Sequence, residues 1–510
     1  MTRPVADAYP LSMNLRNFAA LIFSLLVSLE TQAQDVLRIG TTALPPTLGN
    51  PYRNTGTPHI FTWSATFDGL TRIDAGGTLQ PWLATHWESI NPLTWHIKLR
   101  EDVVFSNGVP FNADAVVNVL DYLTSDAAIR EAVAREFSFV DSARAIDSFT
   151  VEIVTNVPTP HLPRALPLLH IVEPEQWNRL GPEGFSRDPV GTGPYRPINF
   201  SASKIKYRAV PTSWRKPFIS RMEKIVAPEA YVRTQAVLAG QMDIALSLGP
   251  EEADTIAAMG GRSLSWSTAA LWAINFHHGR GNPLDDVRVR EALNLAIDRE
   301  GLVDGLLAGI PELPTQPATS IVYGFNPTLP PIPFDRARAR ALLAEAGYPG
   351  GFKFVVQGAI GSGANDAAMY QKVAQDLLTI GVTMEIRTFP VSQLIRSVME
   401  GEWSGDAFGV TFASEPTVDV LRPLRNHSCL WVHPWYCDER IMPAIEEALI
   451  TFDEDRGLAL RHDIMKFYRD EWVALYLYQI VRFAGTRGNV RGFSEVHGFV
   501  SYEDIQFVEE

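Results

Sequence analysis

The sequence is short of cysteine, of positive charge, and of any recognisable catalytic signature. Its 44 Lys and Arg are outnumbered by 58 Asp and Glu, leaving a formal net charge of −14 over 510 residues. Bulk electrostatics therefore argue against nucleic acid or an anionic membrane as partner. No G-x-S-x-G, H-E-x-x-H, Walker or dinucleotide pattern occurs, which leaves a secreted hydrolase only the option of a triad assembled from distant residues. Repeats, coiled-coil heptads, charge tracts and low-complexity linkers are also missing.

The apolar run Phe18 to Leu29 covers about twelve residues, against the ~20 needed to cross a bilayer. One Arg lies in Met13–Asn17 ahead of it, and Thr31-Gln32-Ala33 follows with small residues, the layout of an export signal cleaved near Ala33. A membrane anchor is the competing reading, and either Met1 or Met13 serves as the start. No Cys lies near the cleavage point, so lipid attachment there is not expected. The mature chain is expected in the periplasm.

The two cysteines, Cys429 and Cys437, fall within SCLWVHPWYC. In an oxidising compartment they are expected to pair, closing a short loop worth about 2 to 3 kcal/mol. Two free buried thiols, or a metal pair assisted by His427 and His433, remain as alternatives, although the separation matches no zinc knuckle well. His277 and His278 are adjacent and would point to opposite faces of a strand, a poor chelating pair.

A chain of this length, 46% hydrophobic, supports more than one core. Between Asn275 and Ala308, Asp285 and Asp286 offer a cap and negative charge at a helix start, and Val289, Leu293, Ala296 and Ile297 recur at spacings of three and four. This predicts one long amphipathic helix whose polar face carries Arg288, Arg290, Glu291, Asp298 and Arg299. Alternation of Trp95, Ile97 and Leu99 predicts a half-buried strand, Asn107-Gly108 a turn, and Asn112 the cap of a helix with Val116, Val119, Leu120 and Leu123 inward. A further helix is expected in DAAIREAVAREF. Helices are also expected with Leu342 and Leu343 inward behind the cap Asp335, and with Met369, Val373, Leu377 and Ile380 inward. With the strand VTMEIRTF between two helices, the rhythm is that of a mixed α/β lobe. Gly191-Thr192-Gly193 is followed by Pro194 with no Lys at Walker spacing, so it reads as a tight turn feeding a strand at a lobe crossing.

The passage NFHHGRGNPLDDVRVREALNLAIDRE resembles the "N…P…D.RVR.AL..AIDR" signature of the family 5 solute-binding proteins of ABC transporters, the peptide- and nickel-binding group. Three more stretches match in consistent order. They are the N-terminal pattern through Phe67, Gly69-Leu70, Pro81, Trp87, Leu99-Arg100, Phe105, Gly108 and Pro110, then PVGTGPYR at 189–196, and the "L..G..D" element ending at Asp243. The resemblance implies an α/β fold of the type II periplasmic binding protein kind: two mixed α/β lobes plus an extra N-terminal subdomain, with the ligand cleft between the lobes. The divisions it suggests are 1–33 signal, 34–64 first part of lobe I, 65–188 extra subdomain, 189–280 second part of lobe I, 281–484 lobe II, and 485–510 a return to lobe I.

The implied function is a receptor of an ABC importer, expected to be a monomer, that shuts on a solute and docks on permease subunits in the inner membrane. No cofactor, bound metal or nucleic-acid partner is expected. Presentation of the closed lobes to a receptor kinase is a further alternative. In peptide-binding members an Asp that pairs with the ligand amine stands in a pattern like "ADYNEP"; here the segment is VTFASEPTVD, and Phe412 takes that place. Glu415 and Asp419 are substitutes only by a shift in register. The expected ligand is therefore a peptide derivative, an opine-like compound or a glycoside, with an oligosaccharide or a metal chelate as alternatives. Rings and a few polar groups are expected to line the cleft: Leu44, Tyr52, Trp266, Trp272, Phe412, Glu415, His427, Trp431, Trp435 and Tyr436, with Trp63 a further aromatic candidate.

Overall fold

The computed structural model describes residues 36–47, 49–56, 59–359, 365–389 and 391–509. The export segment and its cleavage site lie outside these residues. Among the described residues no helix is long and apolar enough to cross a membrane.

One eleven-stranded sheet runs through the molecule. At one end Val36–Thr41 lies between two parallel neighbours, Arg221–Val226 and Ile244–Leu248. At the other end Lys353–Ala359 lies parallel to both Thr383–Phe389 and Ala407–Gly409. Two long antiparallel strands, Arg262–Phe276 and Ala474–Thr486, join the ends and pair with each other along most of their length. Parallel strands need crossover helices, and these cover the faces of the sheet. The result is two mixed α/β lobes.

The crossing ladder is interrupted between Ser267 and Leu271. Backbone groups freed by such a break must find other partners. Here Gln479 Nε2 donates to Thr268 O at 3.1 Å, Thr268 Oγ1 donates to Ile480 O at 2.8 Å, and Ala269 N donates to Glu415 Oε1 at 3.3 Å. The break separates pairing on the side of the first lobe (Arg262–Ser267 with Val481–Thr486) from pairing in the second (Leu271–Asn275 with Ala474–Gln479).

A separate four-stranded antiparallel sheet, ordered Ala84–Asn91, Thr94–Leu99, Thr150–Thr155 and Val140–Asp147, shares the first lobe's core. Trp95, Ile97 and Leu99 point inward as the alternation predicts, and Asn112 accepts from Ala115 N at the start of helix Ala113–Leu123.

Four local expectations are corrected. The single long helix is two, Val287–Ala296 and Arg299–Leu307, parted by extended backbone at Ile297 and restarted by the cap Asp298. Arg290 and Arg299 do not belong to a solvated face. Arg290 donates to the carbonyls of Leu284, Asp285 and Glu471, and Arg299 to Tyr476 O at 2.7 Å and Asn294 O at 2.8 Å. These buried guanidinium groups tie the helices to the second crossing strand and to the turn before it. The stretch DAAIREAVAREF breaks into a 3₁₀ turn at Asp126–Ala128 and a short helix at Ala132–Glu136.

The turn at 191–193 is not at the lobe crossing. It lies where the antiparallel subdomain returns to the first lobe, against Thr66, and a Cβ on Gly191 would fall 2.1 Å from Thr66 O. Only glycine permits that approach.

Candidate binding cleft at the lobe junction

Arg482 stands alone as a charge in the apolar crossing strand Ala474–Thr486, and a buried charge requires partners. It has two, one from each lobe. Glu415, just beyond strand Phe412–Ala413 in the second lobe, receives Arg482 Nη2 at 2.6 Å. Glu495, in the C-terminal return to the first lobe, receives Arg482 Nη1 at 3.1 Å. His497 Nδ1 lies 3.8 Å from Glu415, and its Nε2 lies 2.9 Å from Asp74 O. Glu495 also accepts from Trp266 Nε1 and from Gly498 N.

Two carboxylates sharing one cation do not titrate alike. For Glu415, burial acts to raise its pKa, but Arg482 and the hydrogen bonds around it outweigh burial and hold the carboxyl down to about 2. Burial raises the pKa of Glu495, and the neighbouring Glu415 adds to the rise. Beside this knot is a cavity of about 10 Å³, on the scale of one water molecule. Its walls include Phe61, Trp266, Phe493, Arg482 and Glu495. Trp266 and Phe493 stand 5.8 Å apart between ring centres.

Of the residues expected to line a cleft, the structure brings Trp266 and Glu415 together here. A second group gathers in the interior of the second lobe. Phe412 stacks on His427 at 3.9 Å, His427 meets the edge of Trp435 at 5.0 Å, and Tyr436 belongs to the same core. Burial lowers the pKa of the His427 imidazole to about 3, which keeps it neutral. The others lie apart. Tyr52 is wholly buried against Tyr122 and Trp177, with its hydroxyl on His170 O. Trp63 is buried in the same core, and Leu44 packs against it from the loop after the first strand. Trp272 belongs to the opposite core of the second lobe, and Trp431 donates to Val398 O at 3.0 Å.

Cys429 and Cys437 form a disulfide. The short loop it closes is divided: Trp435 and Tyr436 turn inward, while Leu430, Val432 and His433 are exposed. Among the described residues no group of three or more His, Cys, Asp or Glu side chains is placed to hold a metal ion.

The two acids beside Phe412 are already engaged. Glu415 pairs with Arg482, and Asp419 receives Arg461 through both oxygens, at 3.1 and 2.8 Å. Burial tends to raise the pKa of Asp419, and Arg461 reverses that and holds it below the usual carboxylate range. Residue type alone did not identify Glu495 or His497, which lie eighty or more positions downstream of Glu415 in the sequence. Arg482 did carry a signal, being a lone charge within LYLYQIVRFAG.

The chain has relatives that match it over most of its length. A glutathione-binding protein from Escherichia coli (strain K12) is 28% identical over 84% of this chain and 86% of its own length. A nickel-binding periplasmic protein from the same strain is 26% identical over 91% of this chain and 94% of its own length. The solved structure of an ABC transporter-associated periplasmic binding protein from Helicobacter pylori, in complex with the peptide STSA, superposes with a TM-score of 0.79 at 18% identity. It covers 92% of this chain and 98% of that one. Likeness at that identity shows the shared fold, that of the type II periplasmic binding proteins. The family model for the bacterial extracellular solute-binding proteins, family 5, matches residues 78–428, and the chain belongs to that family.

Proposed function

We propose that this solute-binding protein is a periplasmic receptor that captures a small organic solute lacking a free peptide amine, such as a blocked or derivatised peptide, an opine-like compound or a glycoside. It would hand that solute to ABC permease subunits of the inner membrane and perform no chemistry on it. The observation that carries the ligand class is the pairing of Glu415 and Asp419 with intrachain arginines. A ligand ammonium placed beside Phe412 would have to displace Arg482 or Arg461 from a buried carboxylate, and stripping one partner from such a pair costs about 3 to 5 kcal/mol. Rings impose no such charge requirement. Phe61, Trp266 and Phe493 at the junction offer such rings to a sugar or an apolar substituent once opening of the lobes widens the one-water cavity between them.

The test is a binding panel read by intrinsic fluorescence of the twelve Trp and by native mass spectrometry. Free dipeptides, N-acylated dipeptides, opines, disaccharides and nickel chelates are each offered to the mature chain. Binding by acylated or opine-type compounds, with free dipeptides silent, supports the reading. A free dipeptide bound with its amine beside Phe412 overturns it.

A further inference from the structure

We infer that Glu136 and Arg164 form a clasp across the mouth of the cleft that closes the jaws without help from a ligand. Both residues lie on the first lobe, near the ends of short helices at Ala132–Glu136 and Leu162–Ala165, and both grip the segment of the second lobe that follows Phe412.

Glu136 is shared by two arginines. Arg422 Nη2 approaches one oxygen at 3.1 Å and Arg425 Nη1 the other at 2.7 Å. Arg425 Nη2 also donates to Arg135 O at 2.9 Å, so the contact involves backbone as well as charge. Arg422 reaches in the other direction too, donating through Nη1 to Ala413 O at 2.9 Å. One guanidinium thus connects the far lobe to the strand that carries Phe412. Burial works to raise the pKa of Glu136, and the two guanidinium groups prevail and keep it below the ordinary carboxylate range.

Arg164 supplies the second prong. Its guanidinium donates to the carbonyls of Thr417 at 3.3 Å and Val418 at 3.4 Å, while its other terminal nitrogen donates to Gly77 O at 3.2 Å on its own lobe. The ring of Tyr323 lies 4.8 Å from it. Val418 holds a left-handed backbone with φ of 51°, a conformation that costs energy in a β-branched residue and so needs support from its surroundings. The lobes are in full contact here. A Cβ on Gly77 would fall 2.2 Å from Ile321 O across the gap, and Trp95 of the first lobe stacks on Phe452 of the second.

Every contact in the clasp is between protein groups, so its contribution to closure does not depend on what is bound. A receptor built this way spends part of its time shut when empty, and its apparent affinity follows the fraction of molecules in the binding-competent form. The inference requires two lobes that hinge; it does not require any particular ligand class.

Small-angle scattering of the full mature chain without added solute tests it. The wild type is expected to show a more compact average curve than any variant that breaks the clasp. E136Q, and separately R164A, should lower the closed-to-open ratio by on the order of tenfold and raise the radius of gyration, and 1 M NaCl should move the wild type toward the E136Q curve. The triple variant E136R/R422E/R425E restores opposite charges across the gap and should recover compactness, which a merely destabilised fold would not. Identical curves for wild type, E136Q and R164A at both salt concentrations overturn the clasp, as does a charge-swapped triple variant no more compact than E136Q. None of these outcomes bears on whether a dipeptide or an opine binds.

Discussion

Two charge clusters join the lobes, and they are inverses of one another. At the crossing strands one cation, Arg482, is held between two anions, Glu415 and Glu495. At the mouth one anion, Glu136, is held between two cations, Arg422 and Arg425. The chemistry is the same, but the setting differs. Glu136 and Arg422 are as far out of water, at 16% and 17% exposed, as Arg482 at 17%, and the mouth cluster differs in its third member, Arg425, which is 41% exposed. Low dielectric strengthens an ion pair and also penalises any ion left without its partner, so the buried cluster acts as structure. A cluster that opens to solvent through one partner, Arg425, is cheaper to break and re-form, as a moving contact must be.

Replacing Arg482 should produce the largest effect. R482M leaves Glu415 and Glu495 buried together without a cation, and the expected loss is about 3 to 5 kcal/mol of unfolding free energy, read from urea melts. Adding E415Q and E495Q to R482M should recover much of that loss, because the unpaired charges are then gone. If R482M unfolds at the parent's urea midpoint, the distinction between the two clusters fails.

Acid comes next. The folded-state pKa of Glu415 lies at about 2, below the ordinary carboxyl value of 4.5. Its contribution is therefore fully present above pH 4.5 and is lost as the pH falls from there through about 2. Glu495, whose pKa is raised, has the opposite sign and is least favourable once the pH exceeds its folded value. Stability of E415Q should accordingly fall less steeply than that of the wild type below pH 4.5. Parallel acid limbs in the two proteins would show that the pair with Arg482 adds nothing.

Much of the fold was legible because its signals are local. Asn112, Asp335 and Asp286 cap the helices that their positions announce, each accepting a backbone N–H two or three residues on. Leu342, Leu343, Met369, Val373 and Leu377 are buried as the spacing requires. The site was far less legible. Period 3.6 does not separate an arginine facing water from one bound to carbonyls, so Arg290 and Arg299 were placed on the wrong face. An aromatic residue looks alike in sequence whether it fills a core or walls a cleft, and Phe412, Trp435 and Tyr436 are core-buried here. Glu415, Arg482 and Glu495 meet only through tertiary folding, and no spacing rule connects them.

Salt should separate the clusters without mutation. At 1 M the screening length is about 3 Å, which weakens exposed pairs and leaves buried ones largely intact. The unfolding midpoint of R482M relative to wild type should hold between 0.1 and 1 M NaCl, while the radius of gyration of the wild type rises. A salt-sensitive R482M difference would place that cluster in solvent after all.

The smallest effect on stability belongs to E136Q. Gln keeps an acceptor between Arg422 and Arg425, which also hold the carbonyls of Ala413 and Arg135, so the loss is expected to be no more than about 1 kcal/mol in a urea melt, yet the same substitution is expected to open the jaws measurably. That dissociation is the strongest form of the comparison, since a residue whose only role is to hold the fold together cannot change the hinge equilibrium while leaving unfolding almost untouched. Any solute found to bind should also bind E136Q more weakly, by no more than the factor by which the closed fraction falls. A larger loss would mean that Glu136 touches the solute itself, and a loss of 3 kcal/mol or more in the melt would make the mouth cluster as structural as the knot around Arg482.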